Sequence, residues 1–466
     1  MMLVAGVDSS TQSCKVVVCA ADSGKILRHS KVPHPDGTEV PAEAWWRALR
    51  SAREGLLDGV SAIAVAGQQH GLVALDAAGA PVRPALLWND TRSAQAATDL
   101  VTEFGGPQAW ADAVGIVPLA AHTVAKLRWL ADHEPAHADR VARVLLPHDY
   151  LTWRLRGGTP DLEPTTDRGD ASGTGYWSPS TGEYRKDLVA LAFRDRLPEL
   201  PRVLGPAEPA GHTSDGLLLA AGTGDNAAAA LGLGIGAGDV VVSLGTSGTV
   251  FTRAEHPSAD ADGAINGFAD AAGAYLPLVC TLNAARVLDR TAALAGVGLR
   301  ELERLARQSV PGAAGLTLLP YLAGERTPNL PDATGTLHGL TVSNMTPEHL
   351  ARAGIEGMLC NLADALDRLR ADGIRPRRVL LIGGAAANRL VAEIAAQIFE
   401  LTVAVPEPQE YVALGAARQA AWALAATPEP PSWAAPPAQE FPAPTDGPGQ
   451  EIRARYERTR RLLHGS

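Results

Sequence analysis

Two stretches of this chain are built alike, and that repetition restricts the folds open to it. The first thirty or so residues read as apolar LVAGV, polar SSTQS, β-branched KVVVCA, then DSG and ILRHSKV, the spacing of a hairpin meander. Residues 239–253, DVVVSLGTSGTVFTR, repeat the apolar strand, the small polar turn and the second apolar strand. Two domains are expected, each opening with a hairpin whose tip is small and polar. Helical patterns at 42–57, 90–103, 123–132, 282–295 and 347–371 alternate with apolar runs VSAIAVAG, LLLAAG and RVLLIGG that end in glycine turns. The class is α/β, with a mixed sheet in each half. GIGAG at 234–238 marks the boundary, as a hinge or as a plain connection.

A chain of 466 residues has room for two large cores. Its 41 basic and 51 acidic residues leave a net charge of −10, the wrong sign for a protein whose bulk surface neutralises nucleic acid or anionic lipid. Hydrophobic residues at 46% against 20% charged exclude a mostly disordered chain. Cys14, Cys19, Cys280 and Cys360 show no CxxC spacing, so neither a disulfide framework nor a zinc cage is readable, and a reducing cytoplasm is expected. The N-terminus reaches Asp8 before a signal core forms, and uncharged runs such as 226–238 are short and glycine-broken, below the ~20 residues of a spanning helix. Prolines crowd 427–450, which reads as an extended linker. EIRARYERTRRLLHGS after it reads as a basic helix with Ile452, Tyr456 and Leu463 on one docking stripe.

Two motifs mislead. His133-Glu134-Pro135-Ala136-His137 matches H-E-x-x-H, but Pro135 belongs in a first helical turn, which leaves His133 outside the helix and argues against a zinc protease. Gly222-Thr223-Gly224-Asp225-Asn226-Ala227 follows a strand and opens an Ala-rich helix, as a dinucleotide fingerprint does. Asp225 would then sit where a pyrophosphate should approach, and Asp239 precedes its strand instead of ending one. No G-x-x-x-x-G-K-[ST] occurs, so any handling of nucleotide phosphates is without a P-loop.

Polar or acidic residues gather with glycine at predicted strand ends at Asp8 to Lys15, Gly67 to Gly71, Trp88 to Arg92, Asp225-Asn226, Gly245 to Gly248 and Gly383 to Asn388. In this order, from about 3 to 425, they resemble the FGGY family of carbohydrate kinases. The motifs are GQQHG at 67–71, LWNDTR at 87–92, LLPHDYLTWRL at 145–155, GTGDNAAAALG at 222–232, SLGTSGT at 243–249, LPYLAGERTP at 319–328 and LIGGAA at 381–386, with AHTVAKLRWLADH at 121–133 and GTLHGL at 335–340 as further signatures. The resemblance is strongest to members acting on D-xylulose. The chain departs from the usual pattern at Ser10, Gln69, Ala121, Thr223 and Gly354, of which Gln69 and Thr223 lie closest to the sugar motifs.

What the resemblance implies is a fold of two ribonuclease H-like, actin-like ATPase domains with an interdomain cleft. An N-terminal domain at 1–236 would bind sugar, a C-terminal domain at 237–426 would bind ATP, and 427–466 would be a linker and terminal helix. The implied reaction is ATP-dependent phosphorylation of D-xylulose at O5. A kinase for another keto-sugar or polyol, a nicotinamide dehydrogenase and a non-catalytic ATP-binding scaffold stand as alternatives.

The site follows the same motifs. Phosphoryl transfer to a hydroxyl needs a carboxylate to accept its proton. Asp225, after a glycine turn at a helix start, is expected as that base. Gln69, His70, Trp88, Asp90 and Asn226 are assigned to the sugar. Asp8 is assigned to Mg²⁺ through water, Thr11 and Lys15 to the γ-phosphate, Gly245 and Thr246 to the phosphate tail, and Gly384 and Asn388 to the adenosine. The expected partners are sugar and ATP, with no nucleic acid and no membrane, and dimerisation is left open.

Overall fold

The computed structural model describes residues 1–465 and divides into two compact units. One comprises Met1–Ile235, Ala254–Pro277 and Gln409–Ala435; the other comprises Gly236–Arg253, Leu278–Pro408 and Pro436–Ser466, described to residue 465.

In the first unit Leu3–Ser9 pairs antiparallel with Ser13–Ala20 and parallel with Val60–Gly67, while Ile26–Pro33 forms one edge. The central strand is buried from Val4 to Ser9 and so is apolar nearly throughout; the edge strand alternates between exposed and partly buried residues. One face of the sheet packs on the helix Ala42–Arg53, through Trp45 and Leu49, and on Pro147–Leu155. The opposite face is covered by Asp225–Leu233 and Tyr411–Ala425, both rich in alanine.

Three glycines set how close that second layer comes. A Cβ on Gly6 would lie 1.9 Å from the Ala413 carbonyl oxygen, one on Gly232 would lie 2.1 Å from that of Tyr411, and one on Gly415 would lie 1.8 Å from that of Ala228. Backbone touches backbone there. This is why a helix so late in the chain belongs to the first unit.

The second unit repeats the plan. Asp239–Leu244 pairs antiparallel with Gly248–Thr252 and parallel with Arg378–Ile382, which pairs parallel with Thr402–Pro406. The helix Pro347–Ala371 opens with proline at its first turn and with the Thr346 hydroxyl accepting from the His349 amide.

Some local expectations are corrected. Of the span read as linker, Ala438–Phe441 is an antiparallel edge strand on Thr402–Pro406, a position that tolerates neighbouring prolines because one side needs no ladder bonds. The terminal helix runs Gly449–His464 and buries Ile452, Tyr456 and Thr459, whereas Leu463, on the same face in the last turn, is 44% exposed. The first helix stops at Arg53, before Gly55 at φ +66°; the second begins at Ala94. Among the described residues no helix is long and apolar enough to cross a membrane.

Candidate active site

Strand register places the two expected carboxylates. Val60–Gly67 lies between its parallel neighbours Leu3–Ser9 and Thr223–Gly224, with Ala66 opposite both Asp8 and Thr223. Asp8 and the start of the Asp225 helix therefore stand at the same sheet edge, about two strand spacings or roughly 10 Å apart. That edge is at the carboxyl ends of parallel strands, where α/β sheets place ligands.

Asp8 is 2% exposed, and burial lifts its carboxyl above the ordinary value against the pull of Lys15 and Ser10. Lys15 is its direct cross-strand partner, with Nζ 3.4 Å from Asp8 and 2.6 Å from Glu410. Burial disfavours the lysine charge, yet the two carboxylates outweigh it and raise its proton affinity. The Ser10 hydroxyl donates to Asp8, so the serine at this departure from the family pattern orients the carboxylate.

Asp225 is the first residue of its helix, after Gly224 in extended conformation. Its Oδ1 accepts from the backbone amide of Asn226 at 2.8 Å and from Asn226 Nδ2 at 3.0 Å; Oδ2 carries neither bond. Burial first, then the charges of Asp8 and Asp170, push this carboxyl up to about 7. Asn226 Nδ2 also donates to Gln69 Oε1 at 3.0 Å, which links three expected residues in one chain of hydrogen bonds. Gly224 leaves room for this: a Cβ there would meet Gln69 Cγ at 2.7 Å.

The remaining sugar-side residues are already engaged. Trp88 Nε1 donates to the Thr11 hydroxyl at 2.9 Å, joining a residue assigned to sugar with one assigned to phosphate. Asp90 accepts from Thr38 at 2.8 Å and from Arg92 Nε at 2.9 Å; burial opposes its charge, but these bonds hold the carboxyl below its usual range. His70 sits at φ +68° with its ring edge-on to His122 and tilted on Phe268.

In the second unit Gly245 and Thr246 are exposed at the hairpin tip, their carbonyls accepting from the amides of Ala285 and Ala284. Gly383 has φ +95°, and a Cβ on it would meet the Leu244 oxygen at 2.5 Å; Gly384 beside it faces open space. Asn388 caps the helix Arg389–Phe399, its Oδ1 accepting from the Leu390 amide at 2.9 Å. Only its Nδ2 remains for the nucleoside contact expected of it.

Sequence reasoning gave no role to a cluster beneath the 222–225 turn. His148, Asp149 and Asp170 are fully buried, with His148 Nδ1 2.6 Å from Asp170 Oδ2 and Nε2 3.3 Å from Asp149 Oδ1 and 3.8 Å from Asp167 Oδ1. The signal was present in LLPHDYLTWRL, where a histidine and an aspartate open a helix otherwise buried among apolar residues. A ring nitrogen 2.6 Å from a carboxylate oxygen is hydrogen-bonded; an ion between them would need arms of about 2 Å each. The HEPAH histidines form no such cluster: Pro135 opens a separate helix, His133 faces the Trp129 carbonyl and His137 pairs with Glu134.

The chain matches the FGGY family of carbohydrate kinases over both of that family's domains, the N-terminal domain at residues 3–244 and the C-terminal domain at 240–424. It belongs to that family. Among characterised relatives it is 47% identical to the xylulose kinase of Streptomyces coelicolor, covering 91% of this chain and 88% of that one, and 45% identical to the xylulose kinase of Streptomyces rubiginosus with the same coverage. The crystal structure of xylulose kinase from Bifidobacterium adolescentis superposes with a TM-score of 0.92 at 44% identity, covering 98% of this chain and 99% of that one.

Proposed function

We propose that this chain is an ATP-dependent xylulose kinase that transfers the γ-phosphoryl group of MgATP to O5 of D-xylulose. The observation that carries the reading is Asp225: a carboxylate fixed at a helix start, with a proton affinity near neutrality, at the sheet edge that also holds Asp8 and Lys15. Kinship with the two Streptomyces xylulose kinases over nine-tenths of the chain supports the choice of sugar.

A sugar hydroxyl is a poor nucleophile near pH 7. As the bond from O5 to the γ-phosphorus forms, its proton passes to the Asp225 carboxylate. The bond from phosphorus to the β,γ-bridging oxygen breaks, and its electron pair leaves on ADP. A base with a proton affinity near the working pH suits this step, since it is ionised beforehand yet still basic enough to take the proton. Asn226 holds one Asp225 oxygen and leaves the other for the hydroxyl, while Gln69 fixes the Asn226 amide.

Asp8 suits a hard cation, because burial penalises its charge and a bound cation would restore it. Mg²⁺ held there by Asp8 would supply charge neutralisation to the phosphate oxygens. Lys15, held between Asp8 and Glu410, is the proposed γ-phosphate contact with Thr11. Gly245, Thr246, Gly384 and Asn388 are the proposed nucleotide contacts of the second unit. The four cysteines of the chain form no disulfide, which accords with a reducing cytosol.

The test is a panel of D-xylulose, D-ribulose, L-ribulose, glycerol and gluconate with ADP release as readout. D-xylulose should give the highest kcat/KM. Another winner overturns the assigned sugar, and nucleotide binding without turnover of any sugar overturns the kinase reading.

A further inference from the structure

His148 has no part in the chemistry described so far, yet it is the centre of the most heavily charged buried region near the base. Its ring lies directly under the glycine turns at the sheet edge: a Cβ on Gly222 would meet His148 Cδ2 at 2.6 Å, and one on Gly67 would meet its Cβ at 2.9 Å. The groups around it reach the base by two routes. Asp167, 3.8 Å from Nε2, accepts from the Thr223 hydroxyl at 2.7 Å, two residues before Asp225. Asp170, bonded to Nδ1, is one of the charges that disfavour an ionised Asp225.

We propose that His148 is a positioning residue that keeps its proton as a fixed imidazolium, bracing the turn that aims Asp225 and offsetting the negative charge of Asp170 beneath it. Nδ1 is hydrogen-bonded to Asp170, and Nε2, which makes no hydrogen bond, lies 3.3 Å from an Asp149 oxygen and 3.8 Å from an Asp167 oxygen, so carboxylates face the ring on both sides. Burial works against the ring's charge, but Asp149, Asp170 and Asp167 outweigh it and lift His148 to about 9. Burial lifts Asp170 only to about 6 and Asp149 to about 7, so near neutrality the proton lies on the ring and Asp170 is ionised.

The groups facing this cluster are few. Asp149 lies on the ring's own helix, and Asp167 and Asp170 lie on the segment across from it. Tyr176 and Tyr184 face the same carboxylates, with burial raising both phenols, so they stay neutral. Asp225 faces Asp170 and Asp8. His148 is thus the cation that balances the carboxylates below the base. Without it burial would leave Asp170 protonated, the ion pair that braces the turn would be lost, and Asp225 would no longer face the Asp170 charge that raises its proton affinity.

The inference rests on Asp225 as base, and its test separates the two claims. His148→Gln should lower kcat about tenfold, leave the KM for ATP within about twofold, and move the acid limb of the kcat/KM profile for sugar down by about half a pH unit or more, because Asp170 without its cation takes a proton. His148→Lys, which keeps a charge, should recover most of kcat and return the limb. An unmoved limb in His148→Gln, or equal impairment of both variants, overturns the inference and leaves a packing role. If neither variant folds, nitrogen NMR of the ¹⁵N-histidine-labelled wild type decides. One of its 12 histidines should remain doubly protonated at pH 8, and none doing so overturns the proposal. Asp225→Asn is measured alongside: retained kcat there removes the base assignment itself, whereas lost kcat with an unmoved limb in His148→Gln removes only the role of His148.

Discussion

The two opening hairpins share a plan and differ one residue back from the tip. In the first, Asp8 stands opposite Lys15; in the second, Ser243 stands opposite Thr249, behind a tip of Gly245, Thr246 and Ser247. One hairpin thus presents an ion pair next to a sheet edge that also carries Asp225, and the other presents glycine and hydroxyls with its carbonyls tied to the following helix. Under the proposed mechanism the difference becomes a division of labour: charged side chains for proton transfer and a cation on the first unit, close backbone approach on the second. Backbone contacts tolerate no side chain, whereas acid chemistry needs a specific one.

Loss of the base tests that division most severely. Asp225→Asn keeps size and polarity but removes the acceptor, so kcat should fall by the ~10²–10⁴ of a lost general base while ATP binding, measured by calorimetry, survives. In the wild type kcat/KM should drop about tenfold per pH unit below about 7, since protonating Asp225 disarms it. Near-wild-type turnover in Asp225→Asn breaks the comparison outright. Asp8→Asn should cost on the order of 10² in kcat and be partly restored by excess Mg²⁺. Rescue at Asp225 in place of Asp8 would exchange their roles.

On the second hairpin, Thr246→Val should raise the KM for ATP about three- to tenfold, the value of one hydrogen bond, with kcat little changed. A large kcat effect would place chemistry on the wrong hairpin. The smallest effect is expected from Gln69→Met, which frees the Asn226 amide and should shift preference among ketoses by about threefold without altering ATP affinity. A changed KM for ATP with unchanged sugar selectivity would take Gln69 off the sugar side.

The hairpins, the strand-end glycines and the 222–227 turn were legible because each is a local pattern: an apolar run closed by small polar residues. Asp225 stood out as a candidate base from its place in that turn. The assembly of the first unit could not, since Tyr411–Ala425 is an alanine-rich helix like many others, and only the missing Cβ atoms of Gly6, Gly232 and Gly415 reveal which surface it meets. Ala438–Phe441 was hidden by prolines that a ladder-free edge accommodates. The ring of carboxylates around His148 joins residues from two separate segments, 148–149 and 167–170, and sequence spacing says nothing of contacts made through folding. The charge balance under the base was therefore unreadable until the segments were placed.

The glycine contacts of that late helix also bear on how the protein is made. The second unit interrupts the first in the chain, between Ile235 and Gln409 except for residues 254–277. A nascent chain that has emerged only to residue 235 carries the sheet strands but not the helix that covers Val4, Val17, Ala62, Ala64 and Ala66. Those residues have only the short helix Asp225–Leu233 over their face while well over a hundred more are translated, and the pairing that finally buries them closes one of the longest loops in the molecule. Synthesis of this enzyme accordingly includes a period in which its future catalytic sheet is half-dressed and prone to association, a window in which holding chaperones have most to do.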